Sequence, residues 1–323
     1  MKIDIKKIAH LTGHQGSVYT LTPSMTPQYF LSGGGDGWVV EWDLAKPEVG
    51  KLLAKVESNI FSLLFIKNKN LIIAGNRDGG IHFIDLNDTT QNKNVAHHSK
   101  GIYSIQIIDN QLFTLGGEGV ITRWSLGEKR ALESFQLSSK SLRCVDYSPQ
   151  RHEFAVGASD GNIYFLDEKL TLKKIIKAHE SSVFTLKYAP NAPYLLSGGR
   201  DALLNIWHLE ADYQKINSTP AHNFTINDLT FHPQNPTLFA TASRDKTIKI
   251  WQLNDLNLPE EKQDIVEPAP PSKMGVTLLK VLDTVRHGGH INSVNSLLWS
   301  SYHNHLVSSS DDRSIIVWEI LVD

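Results

Sequence analysis

Cysteine is all but missing from this sequence: Cys144 is the single example in 323 residues. One thiol cannot close an internal disulfide, and it excludes every metal-ligand pattern built on cysteine pairs. That usage suits a reducing compartment. No excess of charge of either sign exists, since 32 Lys and Arg face 34 Asp and Glu for a net charge of −2. No global field therefore draws the chain to nucleic acid or to anionic membranes. Long apolar runs are absent as well. No stretch approaches the roughly 18 residues of a membrane span, and the opening MKIDIKKIAHLTGH lacks the apolar core of a secretory signal. A soluble, cytoplasmic protein is expected. Phosphate-binding fingerprints are lacking too: the glycine-rich SGGGDG at 32–37 precedes a strand pattern, not the helix whose N-terminus would hold an anion.

What the sequence does have is repetition. The phrases SGGGDGWVVEWDL (32–44), AGNRDGGIHFIDL (74–86), LGGEGVITRWSL (115–126), VGASDGNIYFLDE (156–168), SGGRDALLNIWHL (197–209), TASRDKTIKIWQL (241–253) and SSSDDRSIIVWEI (308–320) share one plan. Small residues lead to an acid: Asp36, Asp78, Glu118, Asp160, Asp201, Asp245 or Asp312. Six positions later stands Trp42, Ile84, Trp124, Leu166, Trp207, Trp251 or Trp318. A second phrase lies about twenty residues upstream, as in GHQGSVYTL (13–21), HHSKGIYSI (97–105), AHESSVFTL (178–186), AHNFTINDL (221–229) and GHINSVNSL (289–297). Versions without the histidine stand at 58–65 and 140–147. Acid-to-acid spacings are 42, 40, 42, 41 and 44 residues, then 67. Within each unit, short β-branched and aromatic runs alternate with polar residues and break at turn residues such as Asp36-Gly37 and Asp160-Gly161, the signature of short strands.

Units of this length, with Gly-His near the start and Trp-Asp near the end, define a known repeat. The chain resembles WD-repeat β-propellers along its whole length; repeats one, five, six and seven match well, and two and four are degenerate. The resemblance implies an all-β, seven-bladed propeller with four antiparallel strands per blade. It also implies that an N-terminal strand completes the last blade, and residues 2–11 can supply it. Ring closure allows residues 1–323 to form one domain, because each blade packs on its neighbours and no single core has to grow.

Four repeats carry His, Ser or Thr, Asp and Trp in register: His14/Ser32/Asp36/Trp42, His179/Ser197/Asp201/Trp207, His222/Thr241/Asp245/Trp251 and His290/Ser308/Asp312/Trp318. Repeat three has a worn copy in His98, Thr114, Glu118 and Trp124. These are the ingredients of a hydrolase triad. A nucleophile, however, needs one unique cleft with an oxyanion hole, and equal copies around a ring do not provide it. The structural reading is preferred: carboxylate accepts from imidazole, imidazole from hydroxyl, hydroxyl from indole, so each buried polar group is satisfied. No catalytic residues, cofactor or metal site are assigned. The pairs His97/His98, His287/His290 and His303/His305 lack metal-ligand spacing, and such loop histidines are expected to be solvent-exposed.

In the family it resembles, the rim of one face is the common docking surface. The matching first-strand positions are Tyr19, Phe61, Tyr103, Arg143, Phe184, Asn227 and Asn295. Those before the acid are Gly35, Arg77, Gly117, Ser159, Arg200, Arg244 and Asp311, and those preceding the strand are small or polar, from Ser17 to Ser293. Four aromatics and four arginines (Arg77, Arg143, Arg200, Arg244) on one rim match the residue types of binding hot spots. Such a rim suits an acidic or phosphorylated peptide segment. The alternative is that the aromatics plug the channel mouth and the arginines are merely solvated. Residues 254–275 form a Pro-rich, acidic insertion between the third and fourth strands of blade six, on the opposite face, with 276–285 resuming as a strand. It is expected to be a passive disordered loop, with a polyproline-type ligand as the other reading.

The expectation is a non-enzymatic interaction scaffold for a protein or peptide partner, with no nucleic-acid, membrane or cofactor partner and a monomer as default. Its rivals are a substrate-recruiting subunit of a larger complex and a propeller enzyme that uses the channel.

Overall fold

The computed structural model describes residues 3–254 and 275–322. Among the described residues the short alternating runs form 28 strands in seven four-stranded antiparallel sheets. In blade one the order from the centre outward is strand a (Val18–Pro23), b (Tyr29–Gly34), c (Trp38–Asp43) and d (Lys51–Lys55). The other a strands are Ile60–Ile66, Ile102–Ile108, Leu142–Ser148, Val183–Tyr188, Ile226–Phe231 and Val294–Trp299. Each touches the a strand of the next blade, and the last touches the first, so the ring is closed.

Burial explains the patterning along each blade. The b strands are packed on both faces, and Tyr194–Gly199 and Leu238–Ser243 are buried at every position. They accordingly read as unbroken runs of apolar and small residues. The d strands lie at the periphery, and Arg130–Gln136 alternates between exposed and half-buried. The apolar interior is divided into seven clusters, one between each pair of neighbouring blades. A chain of this length thereby avoids one large spherical core.

Blade seven consists of Val294–Trp299, Leu306–Ser310, Ile315–Val322 and, as its outer strand, Ile3–Leu11. Ile3 faces Val322 and Leu11 faces Ile315 in antiparallel register, with a bulge between Lys7 and Ala9. Ile3 and Leu11 are buried there, which ties the two ends of the sequence into one sheet.

Two expectations need correction. The strand beginning at Val276 ends at Leu282, not near residue 285. Asp283 then accepts from the Arg286 amide and caps a four-residue helix, Thr284–His287, which stops at Gly288 in the left-handed region. The closely spaced histidines are not uniformly solvent-exposed, since His98, His290 and His305 are buried. The readings made for 254–275 lie outside the described residues apart from the ends, where the Asn254 amide donates to the Gly275 carbonyl at 3.1 Å.

Candidate functional site: the rim of the b–c turns

The turn joining strands b and c places the repeated acid at one face of the ring. The residue after that acid has positive φ in every blade: Gly37, Gly79, Gly119, Gly161, Ala202, Lys246 and Arg313. In blade two the need for glycine is steric as well, because a Cβ on Gly79 would stand 2.0 Å from the His98 carbonyl oxygen.

Beneath this rim, five blades carry the same hydrogen-bonded chain. In blade one His14 Nδ1 meets Asp36 Oδ2 at 2.9 Å, His14 Nε2 meets Ser32 Oγ at 2.7 Å, and Trp42 Nε1 donates to Ser32 Oγ at 2.8 Å. In blade five His179 meets Asp201 and Ser197 at 2.9 Å each, and Trp207 donates to Ser197 at 2.9 Å. Blade six joins His222 to Asp245 at 2.9 Å and to Thr241 at 2.8 Å, with Trp251 on Thr241 at 2.8 Å. Blade seven joins His290 to Asp312 and Ser308 at 2.9 Å each, with Trp318 on Ser308 at 3.0 Å. The worn copy in blade three is complete: His98 bonds Glu118 and, at 2.7 Å, Thr114, which accepts from Trp124 at 2.8 Å. Ser32, Ser197, Thr241 and Ser308 are all 0% exposed and engaged on both sides. No substrate carbonyl can reach them.

The acids also grip backbone. Asp36 accepts from the Gln15 and Trp38 amides at 2.8 and 3.0 Å, joining the loop that enters the blade to the b–c turn. Burial opposes ionisation of Asp36, Asp201, Asp245 and Asp312. Hydrogen bonds from imidazole and amides outweigh it and hold all four carboxyls below the usual range.

Blades two and four have substitutes that the sequence pattern did not reveal. In blade two His82 bridges Asn76 at 3.0 Å and Asn94 at 2.8 Å, while Asn76 accepts from the Asp78 and Gly80 amides. Asp78 is thereby released to the surface, where Ser58 and Arg77 bond it. In blade four Asp160 accepts from Ser138 and from the Tyr164 hydroxyl, each at 2.6 Å. Tyr164 does from strand c what histidine does elsewhere from the entering loop.

The rim itself has a construction repeated seven times. In every a–b pair the register slips by one residue at the second position of strand a. The extra residues are Tyr19, Phe61, Tyr103, Arg143, Phe184, Asn227 and Asn295. A β-bulge frees one residue from the ladder and re-aims its side chain. In every blade the amide before the acid also donates to the carbonyl before strand a, as in Gly35 to Ser17 at 2.7 Å and Arg200 to Ser182 at 2.9 Å. Two of the three rim positions are thus tied to each other by backbone beside the bulge.

Bulge residues of successive blades touch one another. The Tyr19 and Phe61 rings meet edge to face at 5.3 Å, and Phe61 and Tyr103 stack at 5.5 Å with 10° between planes. The Arg143 guanidinium lies 4.2 Å over Tyr103 and 5.3 Å over Phe184. Glycine makes room for these rings: a Cβ on Gly101 would stand 3.1 Å from Phe61, and one on Gly117 would stand 3.0 Å from Tyr103. All five side chains remain half-exposed. Of the other rim arginines, Arg77 pairs with Asp78, while Arg200 and Arg244 are exposed on their turns.

Sequence reasoning missed the groups deeper in the channel. Lys187 Nζ lies 3.2 Å from Asp146, and Asp146 accepts from the Tyr188 amide at 2.9 Å. Asp228 accepts from Ser296 at 3.1 Å and from the Leu297 amide at 2.8 Å, so each carboxylate joins its own blade to the next. The Asp146 charge holds the Lys187 ammonium above its ordinary value against the opposing effect of burial, and burial raises the Asp228 carboxyl. Burial likewise pushes the Cys144 thiol up to about 12, which leaves no reactive thiolate near neutral pH. The signal for these groups was the fifth and third positions of strand a, which turn inward. The opposite face has an open hollow of about 630 Å³ lined by Met25, Phe65, Ile107 and Asp109 among others.

The model of the WD domain, G-beta repeat, matches residues 5–43, 170–208, 213–252 and 279–319. The chain belongs to the WD-repeat propellers. Those matches cover the repeats with complete His-to-Trp chains in blades one, five, six and seven, and this WD-repeat propeller builds its other three blades from divergent sequence. It is 25% identical over 231 residues to mouse (Mus musculus) "Transducin-like enhancer protein 2", covering 70% of this chain and 30% of that protein. It is 22% identical over 315 residues to "Actin-interacting protein 1-2" of Arabidopsis thaliana, covering 95% of this chain and 47% of that one. The chain thus spans less than half the length of either relative. The WD40 β-propeller domain of Doa1 shares the fold, with a TM-score of 0.79 at 16% identity, over 98% of this chain and 96% of that one. Among the described residues no helix is long and apolar enough to cross a membrane.

Proposed function

We propose that this propeller is a non-enzymatic protein-interaction scaffold that seats a peptide or protein segment on the rim of blades one to five. The observation that carries this reading is the unbroken contact from Tyr19 through Phe61, Tyr103 and Arg143 to Phe184, built on bulge residues and left half-exposed. Aromatic rings and arginine on a rigid frame bind with little loss of side-chain freedom. Exposed Arg200 and Arg244, with Arg77, extend the surface outward. One relative is named for an interaction with actin, which agrees with a protein-binding role. The hollow on the other face favours a second reading, a recruiting subunit that holds one protein on each face.

Affinity capture from native lysate tests the proposal. Phe61→Ala/Tyr103→Ala on the rim and Lys67→Glu, at a residue that lines the hollow of the opposite face, would each be compared with the parent protein after matched melting curves. Partners lost from the rim variant and kept by Lys67→Glu are the expected outcome. The reverse pattern would move the working surface to the other face, and identical capture by all three would refute the rim.

A further inference from the structure

The rim has two unlike halves. Blades one to five present rings and one guanidinium, whereas blades six and seven present Asn227 and Asn295. Both amides are occupied within the protein. Asn227 Nδ2 donates to Ser293 Oγ at 3.0 Å and to the Val294 carbonyl at 2.8 Å. Asn295 Nδ2 donates to the Val18 carbonyl at 3.1 Å and to Asp311 Oδ1 at 2.8 Å. That half is cross-linked and carries the Asp311 carboxylate, which repels an acidic ligand.

Arg143 governs the other half. Its guanidinium is held between Tyr103 and Phe184, and its Nε donates to Ser159 Oγ at 2.8 Å. These contacts fix the guanidinium plane. The two terminal nitrogens have no hydrogen-bond or ion-pair partner among the described residues. A planar pair of N–H donors, already immobilised, matches the two oxygens of a carboxylate. The flanking rings cover part of the guanidinium, and lower local polarity strengthens the attraction.

We infer that this half-rim selects an extended peptide bearing an Asp or Glu side chain, its carboxylate forked by Arg143 and a neighbouring apolar side chain laid on the stacked Phe61 and Tyr103 rings. The inference rests on the rim being the docking surface. Among the described residues, Arg143 is the one cation over the rings of this arc. Arg77 is paired with Asp78 and Arg200 is exposed on its turn, so over the rings one guanidinium balances one carboxylate, whereas a phosphate approaching two charges calls for a cluster of them.

Selection of a random dodecapeptide phage library on the parent protein, on Arg143→Met and on Phe61→Ala/Tyr103→Ala tests this. Peptides enriched on the parent should pair Asp or Glu with an adjacent apolar residue. Selection on Arg143→Met should keep the apolar residue and lose the acid. Calorimetry with the best synthetic peptide should show a loss of roughly tenfold or more when its acid becomes Asn or Gln, and no such difference on Arg143→Met. Peptides that need the rings but show no acid preference would overturn this inference and leave the rim standing. Peptides indifferent to the ring variant would remove the rim reading itself. A phosphoserine in place of the acid that binds more than about tenfold tighter would reassign the site to phosphate.

Discussion

At the scale of single residues, the His, Ser or Thr, Asp and Trp of each complete repeat bond to one another inside the protein. Each imidazole donates outward to a carboxylate and accepts inward from a hydroxyl that the indole also occupies. Removing the middle member leaves the buried hydroxyl with no acceptor for its proton and the carboxylate without its imidazole donor, although the indole and two amides still bond them. His179→Ala should therefore cost about 1–3 kcal/mol, read as a lower Tm in thermal melts, and an unchanged melt would count against the network. Tyr164→Phe should have a similar though smaller effect in blade four, since Asp160 loses one of its two hydroxyl donors. Stability should also depend on pH in two stages. Burial lowers the pKa of His82, His222 and His232, so the unfolded chain takes up protons before the folded one does. Stability then falls as pH drops below about 6.5. The four network carboxylates, whose folded pKa values lie below the unfolded ones, supply stability above about pH 4 that is lost as pH falls further. Melts from neutral to acidic pH should show Tm declining near the histidine range and more steeply below the carboxylate range. A flat Tm down to about pH 5 would contradict the buried neutral imidazoles.

At the scale of elements, the strand pattern was legible because alternation and turn chemistry are local. The bulge was not. Tyr19 and its counterparts read as ordinary strand residues, and only pairing with strand b shows that one residue is left over. The b–c turns were legible where Asp-Gly stands, but Ala202, Lys246 and Arg313 hold the same positive φ without glycine's freedom. Relief of that strain exceeds glycine's extra chain entropy, so Lys246→Gly should stabilise by about 0.5–1 kcal/mol, measurable as a raised denaturant midpoint. In the channel, Lys187→Met would leave Asp146 and Asp228 without a cation. The Asp228 carboxyl is already raised by burial, and a raised carboxyl gives stability at low pH that is lost as pH rises. The Lys187→Met variant should therefore melt lower than the parent at neutral pH, with the gap closing toward acidic pH.

At the scale of the molecule, stability belongs to a closed ring. Each blade buries its apolar faces on two neighbours, and the last closure is made by Ile3–Leu11 on Ile315–Val322. Deleting residues 1–11 should uncover the buried edge of blade seven, expose Leu282 and Trp318 to a loosened interface, and produce a broad, low-temperature transition with concentration-dependent aggregation. A deletion variant that melts as sharply as the full chain would show that the ring does not need this strand.

Repeat length, the acid followed six residues later by Trp or an aliphatic residue, and the His-to-Trp sets of blades one, three, five, six and seven were determined by the sequence alone, because each depends on a spacing repeated within one unit; the substitutes in blades two and four keep no such spacing and emerged only in the fold. Contacts between units were decided by tertiary structure. Tyr19, Phe61, Tyr103, Arg143 and Phe184 are about forty residues apart from one to the next, and only ring closure sets them edge to edge. The same holds for Asp146 and Asp228 reaching the amides of the following blades. A sequence specifies what each position can offer; which offers meet is settled by packing that brings distant segments within a few ångströms.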